Sequence, residues 1–124
     1  MSVQHRELAA GRWFELGLVE QLANVGSEVE RAIGWRDRGN SAYSIRAVER
    51  ALELLFLTIA DPGNRHRLKE LTRLKEALAD YFYSGNRFGS SDALWRKYFY
   101  AFGYAARLRS RPPGRPVAID RVRK

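Results

Sequence analysis

The sequence predicts an all-α fold, an antiparallel up-down-up-down four-helix bundle with a disordered basic C-terminal tail. Four segments repeat apolar residues every three or four positions, three short connections of turn-type residues separate them, and no segment alternates apolar and polar residues as a strand does. Short connections favour antiparallel neighbours. A chain of 124 residues is long enough to form one hydrophobic core. We therefore divide the chain into an N-terminal extension (1–11), the bundle (12–109) and the tail (110–124).

The first helix is predicted from about Arg12 to Arg38 and the second from about 41 to 61. Gly39 is expected to end the first helix, and either Asn40 or Ser41 to cap the second. Gly26 lies inside the first helix, where glycine is unfavourable; either a neighbouring helix approaches closely there or the position is a simple lapse in helix propensity. The predicted buried stripes are Leu18, Leu22, Val25, Val29 and Ala32 in the first helix, and Ile45, Val48, Leu52, Leu55 and Ile59 in the second.

The third helix is predicted to follow Pro62-Gly63, with Asn64 as its N-cap, and to end near Ser84. The fourth is predicted from about Asp92 to Arg109, after the turn residues Gly89-Ser90-Ser91. Their predicted buried stripes are Leu68, Leu71, Leu74 and Leu78 in the third helix, and Trp95, Tyr98, Phe99, Phe102, Ala105 and Ala106 in the fourth.

The formal charge of +8 is unevenly distributed along the chain. Residues 107–124 contain seven basic residues and one acidic residue, a net of +6, which leaves +2 for the other 106. Pro112, Pro113 and Pro116 disfavour a helix in the tail. Two readings of the tail stay open: a solubilising terminus, and an arm that contacts nucleic acid.

The third helix opens with cations, the reverse of what the helix dipole favours, and a bound polyanion would offset this cost. Arg65, Lys69 and Arg73 are expected on one face at four-residue spacing. In an antiparallel bundle this end also holds the start of the first helix and the end of the fourth. The predicted nucleic-acid-binding residues are Arg12, Arg65, Arg67, Lys69, Arg73, Arg107, Arg109, Arg111 and Arg115. The alternative is a solvated basic face balanced by acids such as Glu70.

The second and fourth helices contain more apolar and aromatic residues than one buried stripe requires. Such excess suggests oligomerisation, and a core larger than inferred is the alternative. Tyr100 and Tyr104 share a face with Lys97 and Arg107, a composition typical of interfaces and of surfaces that stack on bases. The predicted oligomer or partner interface comprises Leu54, Phe56, Leu57, Tyr100 and Tyr104.

No known catalytic or metal-binding pattern is evident in the sequence. The only histidines, His5 and His66, lack the Glu three residues earlier that di-iron bundles use, and there is no nucleophile elbow or phosphate-binding loop. Glu28, Glu49, Glu53 and Asp80 are interpreted as structural charges. No cysteine, signal peptide or spanning segment is evident. We therefore expect a cytoplasmic protein that is not an enzyme and has no cofactor, metal or membrane contact.

Four stretches carry a resemblance to a family of small bacterial four-helix proteins over about residues 12–108. They are GRWFEL from Gly11, EQLANVGSEVER from Glu20, RALELLFLTIAD from Arg50 and RLKELTRLKE from Arg67. More distantly, the chain resembles the accessory variability determinant (Avd-like) of diversity-generating retroelements and proteins encoded in ribosomal RNA intervening sequences. The resemblance implies a ring-like homopentamer that binds a reverse transcriptase and its template RNA without catalysing cDNA synthesis. The present sequence departs from the basic bundle that this resemblance implies, because the 106 residues before position 107 carry a net charge of only +2.

The sequence therefore favours a homo-oligomeric accessory protein that binds RNA or DNA and a partner enzyme through a cationic surface. One alternative is a HEPN-like helical bundle, a ribonuclease or the partner of a nucleotidyltransferase in a toxin-antitoxin pair. In that class an Arg precedes a His by four to six residues, a spacing that neither His5 nor His66 has. The other alternative is a purely structural protein-interaction bundle.

Overall fold

The computed structural model describes residues 11–109, and this range contains four α-helices and no strand. The helices are α1 (Leu18–Asp37), α2 (Ser41–Ala60), α3 (Leu68–Tyr83) and α4 (Asp92–Arg109). The prediction of a four-helix, all-α protein is confirmed. The predicted tail, with Arg111 and Arg115, and the first ten residues of the predicted N-terminal extension lie outside the described residues.

Helix α1 packs against both α2 and α4, and α2 packs in turn against α3. Small side chains line the contact between α1 and α2: Ala32 meets Ala47, and the Ser44 hydroxyl donates to the Ala32 carbonyl oxygen at 2.7 Å. Larger side chains fill the space between α3 and α4, where the Tyr81 ring lies edge-on to Trp95 with centroids 6.3 Å apart. The shared core runs through all four helices.

The buried face of α2 differs from the predicted stripe. Ile45 is 47% exposed, whereas Ala47 and Ala51 are buried against α1. Small residues allow α1 and α2 to approach closely, and this contact fixes the rotation of α2 about its axis. As a consequence Leu54 and Leu57, predicted at an oligomer interface, are buried in the core at 2% and 8% exposure. That part of the interface prediction is wrong.

The first helix begins at Leu18 and not near Arg12. Residues Arg12–Glu15 form a separate 3-10 turn, and extended backbone at Leu16 and Gly17 joins it to α1. Trp13, 1% exposed, is buried in the core, and its indole N–H donates to the Thr58 hydroxyl oxygen at 3.1 Å. The chain bends before α1 because this ring packs against the end of α2.

The third helix also begins later than predicted, at Leu68, after a 3-10 segment over Pro62–Arg67. Asn64 is not its N-cap. The Asn64 side chain is buried and donates to the Gln21 side-chain oxygen at 2.8 Å and to the Thr58 carbonyl oxygen at 3.0 Å. Asp61 starts the 3-10 segment instead, by accepting from the Gly63 amide at 2.9 Å.

Gly26 lies where α1 meets α4. A Cβ atom added at Gly26 would lie 2.6 Å from the Cβ of Phe99, closer than real Cβ contacts. The interpretation that a neighbouring helix approaches Gly26 closely is therefore confirmed. This contact places the side of α4 that carries Phe99 against α1 and leaves Tyr100 exposed.

Candidate nucleic-acid interface

One end of the bundle, which we call the cationic end, comprises residues 11–20, 58–73 and 104–109. These stretches contain seven Arg or Lys residues and four Asp or Glu residues. The opposite end, at residues 30–44 and 78–94, contains four of each. Among the described residues, net positive charge is therefore concentrated at the cationic end.

A buried polar network holds the cationic end together. The Gln21 side-chain amide donates to the Trp13 carbonyl oxygen at 3.2 Å and to an Asp61 carboxylate oxygen at 2.9 Å. Asn64 and Thr58 complete the network, and Gln21 and Thr58 are both fully buried. Because each side chain has a hydrogen-bond partner, the network can fix the relative positions of α1, α2 and the two 3-10 segments.

A cleft of about 440 Å³ opens at the cationic end, beside the first turn of α1. Gly17 precedes this helix without a side-chain cap, so the first amide groups of α1 have no side-chain acceptor from their N-cap. His66, Arg67 and Arg109 line the cleft together with Asp61. Arg109 also lies 3.9 Å from Glu20, which brings the end of α4 to the start of α1.

The predicted cations differ in their surroundings. Arg65, Lys69 and Arg73 are exposed, and none of them has an ion-pair partner among residues 11–109. Arg67 instead pairs with Glu70 at 2.7 Å. For this one residue the structure agrees with the alternative reading, in which acids balance the basic face. Arg65 lies in the 3-10 segment before α3, so only Lys69 and Arg73 share a helical face. The expectation that all three would lie on one α-helical face is wrong, because α3 begins at Leu68.

Glu70 connects α3 with α4 at the rim of the cationic end. The hydrogen bond from Arg67 holds the pKa of Glu70 below its usual value. The Tyr98 hydroxyl lies 3.5 Å from the other Glu70 oxygen, and burial of Tyr98 raises its pKa to about 12. Tyr98 therefore stays protonated at neutral pH and is able to donate to Glu70.

The outer face of α4 carries an aromatic stack that leads to the cationic end. Tyr100 and Tyr104 are 65% and 49% exposed, and their rings lie within 17° of parallel with centroids 6.3 Å apart. The Arg107 guanidinium carbon lies 5.9 Å from the Tyr104 ring centroid, a cation–π contact. The predicted grouping of Tyr100, Tyr104 and Arg107 on one face is thus present. Phe56 on α2 is also exposed, at 62%.

A second aromatic cluster, at the opposite end, was not predicted from the sequence. Trp35 and Tyr43 meet edge to face with centroids 4.9 Å apart, where α1 turns into α2. Arg38 lies over Trp35 and Arg46 lies over Tyr43, each at 5.1 Å from the ring centroid. Each cation follows its ring by three residues, and this spacing is the sequence signal that could have identified the cluster.

The acidic residues do not gather into a metal-binding group among the described residues. Glu28 is buried and accepts from Arg31 at 3.0 Å and from Arg50 at 3.1 Å. Asp80 accepts from the Phe88 amide at 3.0 Å, and this bond lowers the Asp80 pKa. Both carboxylates therefore have structural partners. No helix within residues 11–109 is both long and apolar enough to cross a membrane.

Comparison with known proteins gives no match to this chain among protein-family models, curated proteins or solved structures.

Proposed function

We propose that this protein is a non-catalytic accessory protein that binds nucleic acid at the cationic end and acts as a homo-oligomer. The observation that carries the proposal is the concentration of cations there, with Arg65, Lys69 and Arg73 exposed and without an acidic partner among residues 11–109. Phosphate groups would supply the missing counter-charge, and their contacts give sequence-independent affinity.

The proposal includes an up-down-up-down order of the four helices in the cytoplasmic protein. Its support is the pairing of Arg36, at the end of α1, with Asp92, at the start of α4, while Glu20 and Arg109 meet at the other ends of the same helices. The tail, with five basic residues and one acidic residue over 110–124, would extend the phosphate-binding surface. A reverse transcriptase with its template RNA enters the proposal through the sequence resemblance, as does a pentameric ring.

Binding to a labelled RNA, measured by fluorescence anisotropy across about 50 to 200 mM salt, tests this proposal. Affinity should fall steeply with salt. The triple variant Arg65→Gln/Lys69→Gln/Arg73→Gln should bind more weakly, and its salt slope of log K should be smaller by about 2 to 3 if all three side chains contact phosphates. The stability of the free protein should be unchanged or slightly higher, because Lys69 lies in the first turn of α3, where the dipole disfavours a cation.

The matched control is Arg38→Gln/Arg46→Gln/Arg87→Gln, which removes three exposed cations from other parts of the bundle surface. Its salt slope should remain close to that of the unaltered protein. Equal losses in both triple variants would contradict a binding site at the cationic end. Absence of binding at 50 mM salt would contradict the proposed function as a whole and favour a structural protein-interaction bundle.

A further inference from the structure

The outer face of α4 has the chemistry of a base-stacking surface. Tyr100 and Tyr104 present near-parallel rings to solvent, and phenol rings can stack on any base because every base has a π-face. Lys97 lies on the same side of the helix, is exposed and makes no ion pair with a described residue. Exposed rings with adjacent cations are complementary to a nucleic-acid strand, because bases can stack on the rings while phosphates contact the cations.

The face continues into a groove between α1 and α4. This groove has a volume of about 410 Å³ and is lined by Gly26, Phe99, Tyr100, Gly103 and Arg107, among others. The acid that lines it, Glu30, is engaged by Arg96 through both carboxylate oxygens, at 2.9 and 3.0 Å. The groove therefore carries little uncompensated negative charge that would repel a phosphate.

The face is also continuous with the cationic end. Seven residues separate Tyr100 from Arg107, about 10 Å along a helix, and Arg107 belongs to the cationic end. The helix beneath is attached to α1 at two points, where Phe99 packs against Gly26 and where Arg36 pairs with Asp92 at the start of α4. A strand that contacts phosphate-binding residues at the cationic end can therefore lay its bases on the two rings.

We infer that the Tyr100–Tyr104 face of α4 binds unpaired bases, so that the nucleic acid taken by this protein is single-stranded. The inference rests on the proposed function, which supplies the phosphate contacts. In a duplex the base faces are covered by neighbouring bases and are not accessible to the two rings. A duplex would therefore bind only through the cationic end, and a single strand through both surfaces.

The test compares a 20-nucleotide oligouridine with a duplex RNA of the same length, at one salt concentration. The unaltered protein should bind the single strand more tightly. In Tyr100→Ala/Tyr104→Ala, affinity for the single strand should fall about five- to 150-fold, the range for loss of one stacked base, whereas affinity for the duplex should change less than about two-fold. Tyr100→Phe/Tyr104→Phe keeps both rings and should retain single-strand binding.

Tyr83→Ala is the matched control, since Tyr83 is 50% exposed and lies at the opposite end of the bundle. It should leave binding of both nucleic acids unchanged. Equal affinity of the unaltered protein for both nucleic acids, or single-strand affinity unaffected by Tyr100→Ala/Tyr104→Ala, would overturn the inference and leave the proposed function standing. Binding to neither would overturn the proposed function. A change of molecular mass in the double Ala variant would assign the two tyrosines to contacts between protein chains and would also overturn the inference.

Discussion

At the scale of single residues, Gly26 shows how one missing side chain positions a helix. Phe99 of α4 occupies the space that a Cβ at Gly26 would need, and its own Cβ is the nearest atom, at 2.6 Å. A Cβ is fixed to its backbone, so no change of Phe99 rotamer can remove the overlap. Any larger residue at position 26 would push α4 away from α1.

We therefore expect Gly26→Ala to lower the free energy of unfolding by about 1–2 kcal/mol, although Ala is the better helix former by up to about 1 kcal/mol. Gly34→Ala provides the control, because a Cβ at Gly34, also within α1, would meet no heavy atom within 4 Å. This second substitution should raise stability by about 0.5–1 kcal/mol. Urea unfolding of the two variants gives both values, and a stabilised Gly26→Ala would contradict the close approach.

Individual residues differ in how much the sequence reveals about them. For Gly26 the sequence offered two readings, close packing of a neighbouring helix or a lapse in helix propensity, and the contact with Phe99 selects the first. Asn64 was not predictable, because an Asn after Pro-Gly suits a helix cap as well as a buried position. Its role is decided by the partners Gln21 and Thr58, which are 43 and 6 residues away. Sequence spacing does not indicate so distant a hydrogen bond.

At the scale of elements, the 3-10 segment Arg12–Glu15 depends on one side chain. Trp13 is buried, and its indole N–H donates to the Thr58 hydroxyl oxygen, which itself donates to the Leu54 carbonyl oxygen at 2.8 Å. Thr58 thus connects the start of the described chain to α2. Without its hydroxyl, the buried indole N–H would lack an acceptor.

Thr58→Val preserves the shape of the side chain and should lower the free energy of unfolding by about 1–3 kcal/mol, the cost of an unsatisfied buried donor. Thr72→Val, at an exposed position of α3, should change it by less than about 0.5 kcal/mol. Chemical denaturation measures both. In Trp13→Phe, which has no indole N–H, the further cost of Thr58→Val should be much smaller. If the costs of Trp13→Phe and Thr58→Val were additive, the hydrogen bond between these two side chains would contribute nothing to stability.

The helices themselves were predictable because their apolar residues recur with helical period, but the rotation of α2 was not. Apolar residues surround much of this helix, so Ile45 and Ala47 both suited a buried stripe. The structure selects Ala47 because close packing against Ala32 needs small side chains. The sequence also predicted the starts of α1 and α3 too early, because the spacing of apolar residues does not distinguish a 3-10 turn from the first turn of an α-helix.

At the scale of the whole molecule, the two ends of the bundle differ in net charge, a difference that the overall composition does not reveal. The sequence identified the cations of the cationic end, and the helix connections placed them together. It offered Glu70 as an acid that could balance this face but did not assign Arg67 as its partner, and it did not identify the aromatic and arginine cluster around Trp35 and Tyr43. Such pairings depend on side-chain orientation, for which residue type and spacing allow several outcomes.

The exposed surface of α2 predicts that several copies of the chain assemble into an oligomer. Ile45 and Phe56 are 47% and 62% exposed, and eleven residues place them on the same side of the helix. Leu52 and Ile59, which are partly buried, lie on the same side. Leu52 and Ile59 pack against the core, so Ile45 and Phe56 form the exposed part of this side, which an oligomer would cover.

Light scattering at micromolar concentration should therefore give a mass several times the 14.3 kDa of one chain. Ile45→Gln/Phe56→Gln should reduce the mass to that of one chain while leaving helicity unchanged, because Gln is a good helix former and both positions are exposed. Tyr100→Ala/Tyr104→Ala, on the other exposed face, should leave the mass unaltered. A single-chain mass for the unaltered protein would contradict oligomerisation. Since α2 and α4 both contact α1 but expose different residues, an α2 interface would leave the α4 tyrosines of every copy free to contact a bound strand.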